Sequence, residues 1–384
     1  MNIKRLLSIP NQHFFLFGPR GCGKSSWLKD QFIPDLNIDL LKSVQFLELS
    51  ARPEILSEKV AALPNGGKIV IDEIQKLPII LDEVHSLIFE HRKKIQFALT
   101  GSSARKLKRS HANMLAGRAI KKEMFPFVSA ELGDAFNVLD AITWGTLPAL
   151  NQCENVQDKK DFLYTYVDTY LREEIQMDAA VRNLPTYNRF LKHAAIMNGQ
   201  TLNLSNISRE AGIPRSTLDG YFQILQDTLL GTFLEPIHLN AKIKEVSTPK
   251  FYFFDCGVVR ALRHELDDEL GQEKGFLLET LILNELRAYS SYFSKQLEIF
   301  YWATPSHAEV DFIVCKGKTK IAIEVKSSRT WKKEFNLGLH SAADSRKLDR
   351  LIGVYLGSDP LVSEGIDVWP VETFLSKLFG QSLI

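Results

Sequence analysis

Phe14-Phe15-Leu16-Phe17-Gly18-Pro19-Arg20-Gly21-Cys22-Gly23-Lys24-Ser25 is an apolar run, a glycine-rich turn and the start of a helix-compatible stretch that continues through Trp27 and Leu28. Strand, loop and helix in this order are the context a phosphate-binding loop requires. The glycines let the backbone bend until its N–H groups face a phosphate. Lys24 supplies a fixed cation to the β and γ phosphates, and the Ser25 hydroxyl offers a ligand to magnesium. The stretch Gly18, Pro19, Arg20, Gly21, Cys22, Gly23, Lys24, Ser25 and Ser26 is therefore expected to hold ATP and Mg2+.

Around this loop, short apolar runs at His13 to Phe17, Val44 to Leu49, Lys68 to Ile71 and Gln96 to Thr100 alternate with helical patterns. They predict an α/β fold, a doubly wound parallel sheet with helices on both faces. Lys68-Ile69-Val70-Ile71 runs into Asp72-Glu73, which sets two carboxylates at the end of the sheet where open α/β folds bind ligands. Asp72 is the expected magnesium contact, and Glu73 the group that polarises the attacking water. Phe97-Ala98-Leu99-Thr100 leads into Gly101-Ser102-Ser103, so that the Ser102 hydroxyl comes near the γ-phosphate.

The order of these motifs resembles the AAA-type (AAA+) P-loop ATPases. Within them it is similar to the bacterial and archaeal branch that carries a C-terminal nuclease-like domain. The resemblance rests on Ile71-Asp72-Glu73-Ile74-Gln75, Leu99-Thr100-Gly101-Ser102-Ser103 and Leu115-Ala116-Gly117-Arg118. It continues through Trp144-Gly145-Thr146-Leu147-Pro148 and Tyr170-Leu171-Arg172-Glu173-Glu174-Ile175, covering nearly the whole chain. It implies that Arg118 stabilises transition-state charge across a subunit boundary, and hence an ATP-dependent homo-oligomer.

At 384 residues the chain is long enough for two or three domains. A hydrophobic fraction of 45% and a charged fraction of 24% are ordinary for a globular protein and argue against disorder. Lys and Arg number 47 against 46 Asp and Glu, so a polyanion would have to find a local patch rather than a basic protein. Cys22, Cys153, Cys256 and Cys315 form no Cys-x-x-Cys pair and read as isolated thiols in a reducing compartment. No apolar run approaches the ~20 residues that span a bilayer, so a cytoplasmic location and no membrane partner are expected.

The pattern turns helical between about Ser129 and Leu239. Inside it, Leu204 to Gly212 reads as a short helix closed by glycine, and Arg215-Ser216-Thr217-Leu218 opens a second, capped helix after Ile213-Pro214. This is a helix-turn-helix, with Arg215, Ser216 and Thr217 at the front of the second helix, where contacts to DNA are made. Lys242, Lys244 and Lys250 follow in a presumptive hairpin, a basic wing for a phosphate backbone. The competing reading is a winged helix used as a spacer or docking module.

Strands return at Phe251 to Phe254, Leu297 to Trp302, Val310 to Val314, Ile321 to Val325 and Leu351 to Tyr355, a second α/β domain. The expected divisions are an ATPase core at 1–128, a helical lid with winged helix at 129–250, and the last domain at 251–384. If Val310 to Val314 and Ile321 to Val325 pair through Lys316-Gly317-Lys318, then Glu324 and Lys326, two apart on one strand face, come beside Asp311. Two acids and a lysine on one face suit metal-assisted phosphodiester hydrolysis. The set resembles the PD-(D/E)xK nuclease superfamily, although Val310 stands where that pattern has proline. The resemblance implies a restriction-endonuclease-like fold and adds Glu279, as the helical acid, to a site for Mg2+ or Mn2+ with Lys326 as the catalytic lysine.

Two functions compete. One is an ATP-driven DNA-processing enzyme with a metal-dependent nuclease-like domain. The other is a nucleotide-gated switch or scaffold whose last domain binds nucleic acid or protein without cutting. A chaperone-like remodeller of protein is a third.

Overall fold

The computed structural model describes residues 3–90, 95–102, 115, 117–171, 183–239, 244–345 and 348–383. Strands β1 (His13–Phe17), β2 (Leu36–Asp39), β3 (Gly67–Asp72), β4 (Ile95–Gly101) and β5 (Ala119–Glu123) form one sheet in the order β2-β3-β4-β1-β5. Every pairing in it is parallel. The central runs Phe14 to Phe17, Ile69 to Ile71 and Phe97 to Leu99 are buried, as a sheet covered on both faces demands.

Val44 to Leu49 is not a strand. It lies in the helix Ser43–Ala51, which buries Leu49 but leaves Val44 79% exposed. The place beside β3 is taken by β2, with Ile38 paired to Ile71, so the following residues are free to coil and cross over. A run with apolar residues at 44, 46, 47 and 49 does not by its composition choose between the two.

Between residues 129 and 230 the described residues are mainly helical, as expected, and end in the helices Leu204–Ala211 and Arg215–Asp227. Gly212 closes the first helix at φ 65°, a backbone that a Cβ would strain. The second helix starts at Pro214, which provides no side-chain cap, in contrast to the capped start expected there. Beneath the pair, Tyr187, Phe190, Tyr221, Phe222 and Phe251 stack edge to face in one aromatic core.

A small antiparallel sheet of β6 (Gly231–Leu234) and β7 (Lys250–Phe253) completes this unit. The strand expected to open the last α/β domain thus pairs with the helix-turn-helix instead. The C-terminal sheet consists of β8 (Glu298–Ala303), β9 (Glu309–Lys316), β10 (Thr319–Lys326), β11 (Arg350–Tyr355), β12 (Leu361–Ser363) and β13 (Ile366–Pro370), in the order β12-β13-β11-β10-β9-β8. It is mixed: β8, β9 and β10 are antiparallel, whereas β10, β11 and β13 run parallel. Helix Lys274–Tyr292 packs on it with a mostly buried surface.

That helix also fastens the C-terminal sheet to the first unit. Tyr292 Oη accepts hydrogen bonds from Phe125 N at 3.1 Å and Arg5 Nη2 at 3.0 Å. Glu285 accepts from Ser129 N at 2.8 Å and Ser129 Oγ at 2.9 Å. Burial pushes the Glu285 carboxyl up to about 8, against the lowering effect of the two Ser129 bonds. The folded protein therefore holds a proton that the unfolded chain releases near the ordinary glutamate value, so stability falls as pH rises from about 4.3 toward 8. Glu285→Gln is expected to make that fall shallower by up to about 1.4 kcal/mol per pH unit. Urea midpoints of both proteins across this range check it; parallel slopes would refute the assignment.

Candidate functional site

The loop between β1 and helix Lys24–Trp27 turns at Gly21 (φ 84°) and Gly23 (φ 89°), conformations open to glycine. Gly18 is needed for a different reason, since a Cβ there would meet Met124 O at 2.4 Å. Lys24 is buried, and its Nζ donates to Gly18 O at 2.7 Å and Pro19 O at 3.1 Å, which folds the ammonium over the loop. Tyr166 Oη braces the loop from the helical unit by donating to Arg20 O at 2.8 Å. Cys22 is buried, and burial lifts its thiol to about 12, so it is an inert packing residue of the loop.

Parallel pairing sets the ends of β1, β3 and β4 side by side, with Phe17 opposite Gly101 and Ile71 opposite Leu99. Ser25 Oγ donates to Asp72 Oδ2 at 2.7 Å, and the other Asp72 oxygen accepts from Thr100 Oγ1. Thr100 Oγ1 in turn accepts from Glu73 N at 3.1 Å. The Glu73 carboxylate takes a hydrogen bond from Gln75 Nε2, which also donates to Ser102 Oγ at 2.9 Å. Glu73 itself sits at φ 59°, a left-handed conformation that costs a non-glycine residue and is concentrated at functional positions.

Ser25, Asp72, Glu73 and Ser102 are thus brought together in one hydrogen-bonded network. Thr100 and Gln75 complete the set without having been singled out. Their signal is in the sequence: Thr100 is a polar residue near the end of a buried strand, and Gln75 stands two residues after Glu73. Gly101 answers to the same crowding, because a Cβ there would lie 2.6 Å from Gln75 Oε1.

A cavity of about 320 Å³ opens beside the loop, lined by Arg5, Gly23, Ser26, Trp27, Asn151 and Gln152 among others. That volume suits a small-molecule pocket. Ser26 faces this cavity rather than the Ser25–Asp72 side. Arg118 stands exposed against His85 and the Phe89 ring, outside the Ser25–Asp72–Thr100 network.

In the helix-turn-helix, Arg215 and Ser216 are exposed and Thr217 is half-buried. A groove of about 720 Å³ runs past Arg215 and Asp219, between Asn203 and Pro249. Of the three lysines of the expected basic wing, Lys244 alone is exposed among the described residues. Lys242 lies outside the described residues, Lys244 is exposed, and Lys250 is a buried strand residue. Val246 N donates to Ala303 O at 2.9 Å and Trp302 Nε1 to Glu245 Oε1 at 2.7 Å, so this segment lies against β8.

The C-terminal acids do converge. β9 and β10 are antiparallel, with Ile323 opposite Phe312, and Asp311 Oδ2 accepts from Val325 N at 2.7 Å. Glu279, Asp311 and Glu324 are all buried, and Lys326 Nζ pairs with Glu324 Oε1. Burial raises Glu279 to about 7, although Lys250 opposes the shift, and burial also holds Glu324 well above the carboxylate range. Burial disfavours the Lys326 ammonium, yet Asp311 and Glu324 outweigh it and raise its pKa.

Divalent ions of this kind take several oxygen ligands, each facing the ion. Here Glu279 Oε2 accepts from Tyr252 Oη at 2.7 Å and lies 3.5 Å from the Lys250 ammonium, while Glu324 Oε2 is the buried oxygen without a partner. Each of the three acids is thus engaged by a hydrogen bond or a cation, and among the described residues no group of three His, Cys, Asp or Glu has the arrangement of a metal site. In this arrangement the residues do not fit Mg2+ or Mn2+.

Residues 10–133 match the family described as AAA domain. Residues 136–270 and 274–374 match families described as Domain of unknown function (DUF8612) and Domain of unknown function (DUF4143). Uncharacterized proteins of Mycobacterium bovis and Mycobacterium tuberculosis are each 25% identical over 351 residues, covering 89% of this chain and 76% of theirs. One of Methanocaldococcus jannaschii is 24% identical over 357 residues, covering 83% and 75%. Among solved structures, the Aeropyrum pernix ORC2 protein in its ADP form overlaps 70% of this chain and 88% of its own at 11% identity and TM-score 0.32. The Bacillus subtilis DNA clamp loader delta protein overlaps 71% and 94% at 11% and 0.26.

The two halves of the nucleotide site are expected to fail differently. Lys24→Ala should lose nucleotide affinity together with turnover, whereas Glu73→Gln should retain ATP and slow hydrolysis on the order of 100-fold. Filter binding and phosphate release separate the two; a Glu73→Gln protein at the wild-type rate would remove Glu73 from its role.

Proposed function

We propose that this protein binds ATP with magnesium, hydrolyses it, and couples the hydrolysis to work on DNA. The observation that carries the reading is the chain of contacts from Ser25 through Asp72 and Thr100 to Glu73, set beside the buried Lys24. Ser25 and Asp72 hold the magnesium, Lys24 and the loop amides the phosphates, and Glu73 orients the attacking water. Ser102, held by Gln75, stands where the γ-phosphate is sensed. The cavity at Trp27 and Asn151 takes the nucleoside. Magnesium supplies charge neutralisation of the phosphates when bound.

DNA contact is assigned to the exposed Arg215 and Ser216, with Thr217, and to Lys244 on the adjoining segment. Arg118 is assigned to a neighbouring subunit's site, which its exposed position on the first unit permits. For the C-terminal unit, a metal-dependent nuclease would need a cation among Glu279, Asp311 and Glu324. The buried lysine found there favours the second reading, a domain that binds nucleic acid or protein without cutting.

Turnover with and without duplex, single-stranded and branched DNA tests the coupling, with Lys24→Ala as the blank. Arg215→Ala should weaken DNA binding and flatten the dependence of log K on log salt by about one unit. Equal turnover on all DNAs and no salt-sensitive binding would defeat the DNA reading. Mixing Arg118→Ala with Lys24→Ala chains should restore part of the lost hydrolysis, because some interfaces then pair an intact loop with an intact arginine. Full turnover in Arg118→Ala alone would end that assignment.

A further inference from the structure

Lys250 belongs by hydrogen bonding to the middle unit, paired in β7 with Leu234 of β6 and bridged to Thr201. Its side chain leaves that unit. At 3% exposure, its Nζ lies 3.5 Å from Glu279 Oε2 and 3.9 Å from Asp311 Oδ1 and pairs with Glu309 Oε1. Tyr252, two residues on and on the same strand face, donates to Glu279 Oε2 at 2.7 Å. Lys326 serves Glu324 from the far side of the cluster.

Converging buried carboxylates need a compensating cation. A divalent ion is one solution, and an ammonium on a fixed strand is another. The two compete here, because an ion within about 2.0–2.6 Å of Glu279 and Asp311 would stand against a like charge that already lies 3.5 Å from the one and 3.9 Å from the other. An ammonium carries three donors and no acceptor, which suits a position among Glu279, Glu309 and Asp311.

We propose that Lys250 is the resident cation of the Glu279–Asp311–Glu324 cluster, a tethered ammonium in the place of a divalent ion. The C-terminal domain is thereby independent of metal, and β7 is latched to it. Removing the ammonium uncovers a divalent-cation site built from the same three acids. The inference rests on the position of the Lys250 ammonium among these acids and not on the nucleotide site.

The test counts Mn2+ bound per full-length chain, without nucleotide, by equilibrium dialysis and electron paramagnetic resonance. Wild type, Asp311→Asn and Glu279→Gln are expected to bind equally, because none uses the cluster. Lys250→Ala should gain one Mn2+ that Lys250→Ala/Asp311→Asn lacks, and Lys250→Arg should gain none. A wild-type Mn2+ lost in Asp311→Asn or Glu279→Gln would overturn the proposal, and so would a folded Lys250→Ala that gains nothing. If Lys250→Ala does not fold, the comparison of wild type with the two acid variants decides. ATP turnover of the same wild-type sample, read separately, reports on the nucleotide site and not on this outcome.

Discussion

Parallel pairing of β1 with β4 and of β3 with β4 is the constraint on which the nucleotide site depends. In parallel strands all carboxyl ends fall on one edge, so three segments distant in sequence deliver their last residues to the same place. Ser25 follows β1, Asp72 ends β3, and Thr100 closes the apolar run of β4, and hydrogen bonds join all three. The crowding this produces is visible in the glycines. Gly18 and Gly101 have ordinary backbone angles but no room for a Cβ.

The three sheets are not strung out as independent beads. Buried polar contacts join them: Arg5 to Glu131 at 3.3 Å, Tyr292 to the Phe125 amide, Glu285 to Ser129, and Lys250 to the C-terminal acids. Each is costly to break on one side only, since the remaining group would stay buried without its partner. Such contacts give the loop, the helix-turn-helix and the C-terminal sheet a mechanical connection. Tyr166, which holds Arg20 O from the helical unit, is the most direct link to the phosphate-binding loop.

Charge compensation explains why the C-terminal unit reads as a nuclease in sequence and differs in structure. Asp311, Glu324 and Lys326 converge through the pairing of β9 with β10, and Glu279 joins them from the helix Lys274–Tyr292. What a sequence pattern does not carry is the identity of the cation that offsets them. That cation comes from β7, which begins 48 residues before β8 and belongs to another sheet. As one of three lysines in a short stretch, Lys250 read as a solvated wing residue, and nothing local distinguishes a lysine that will be buried.

The sequence by itself determined the elements whose signal is local: the glycine-rich loop, the acids ending β3, the helical middle with its glycine-closed turn, and the β9–β10 hairpin at Gly317. Each depends on periodicity or on a backbone conformation that few residues adopt. Tertiary structure decided the rest. It made Val44 to Leu49 a helix, because β2 already filled the sheet edge beside β3. It also added Thr100 and Gln75 to the nucleotide site through register, and gave β7 to the helix-turn-helix while turning Lys250 into the carboxylate cluster. Pairing partners and buried counter-charges are set by contacts between distant segments, and an amino-acid pattern read along the chain does not contain those distances.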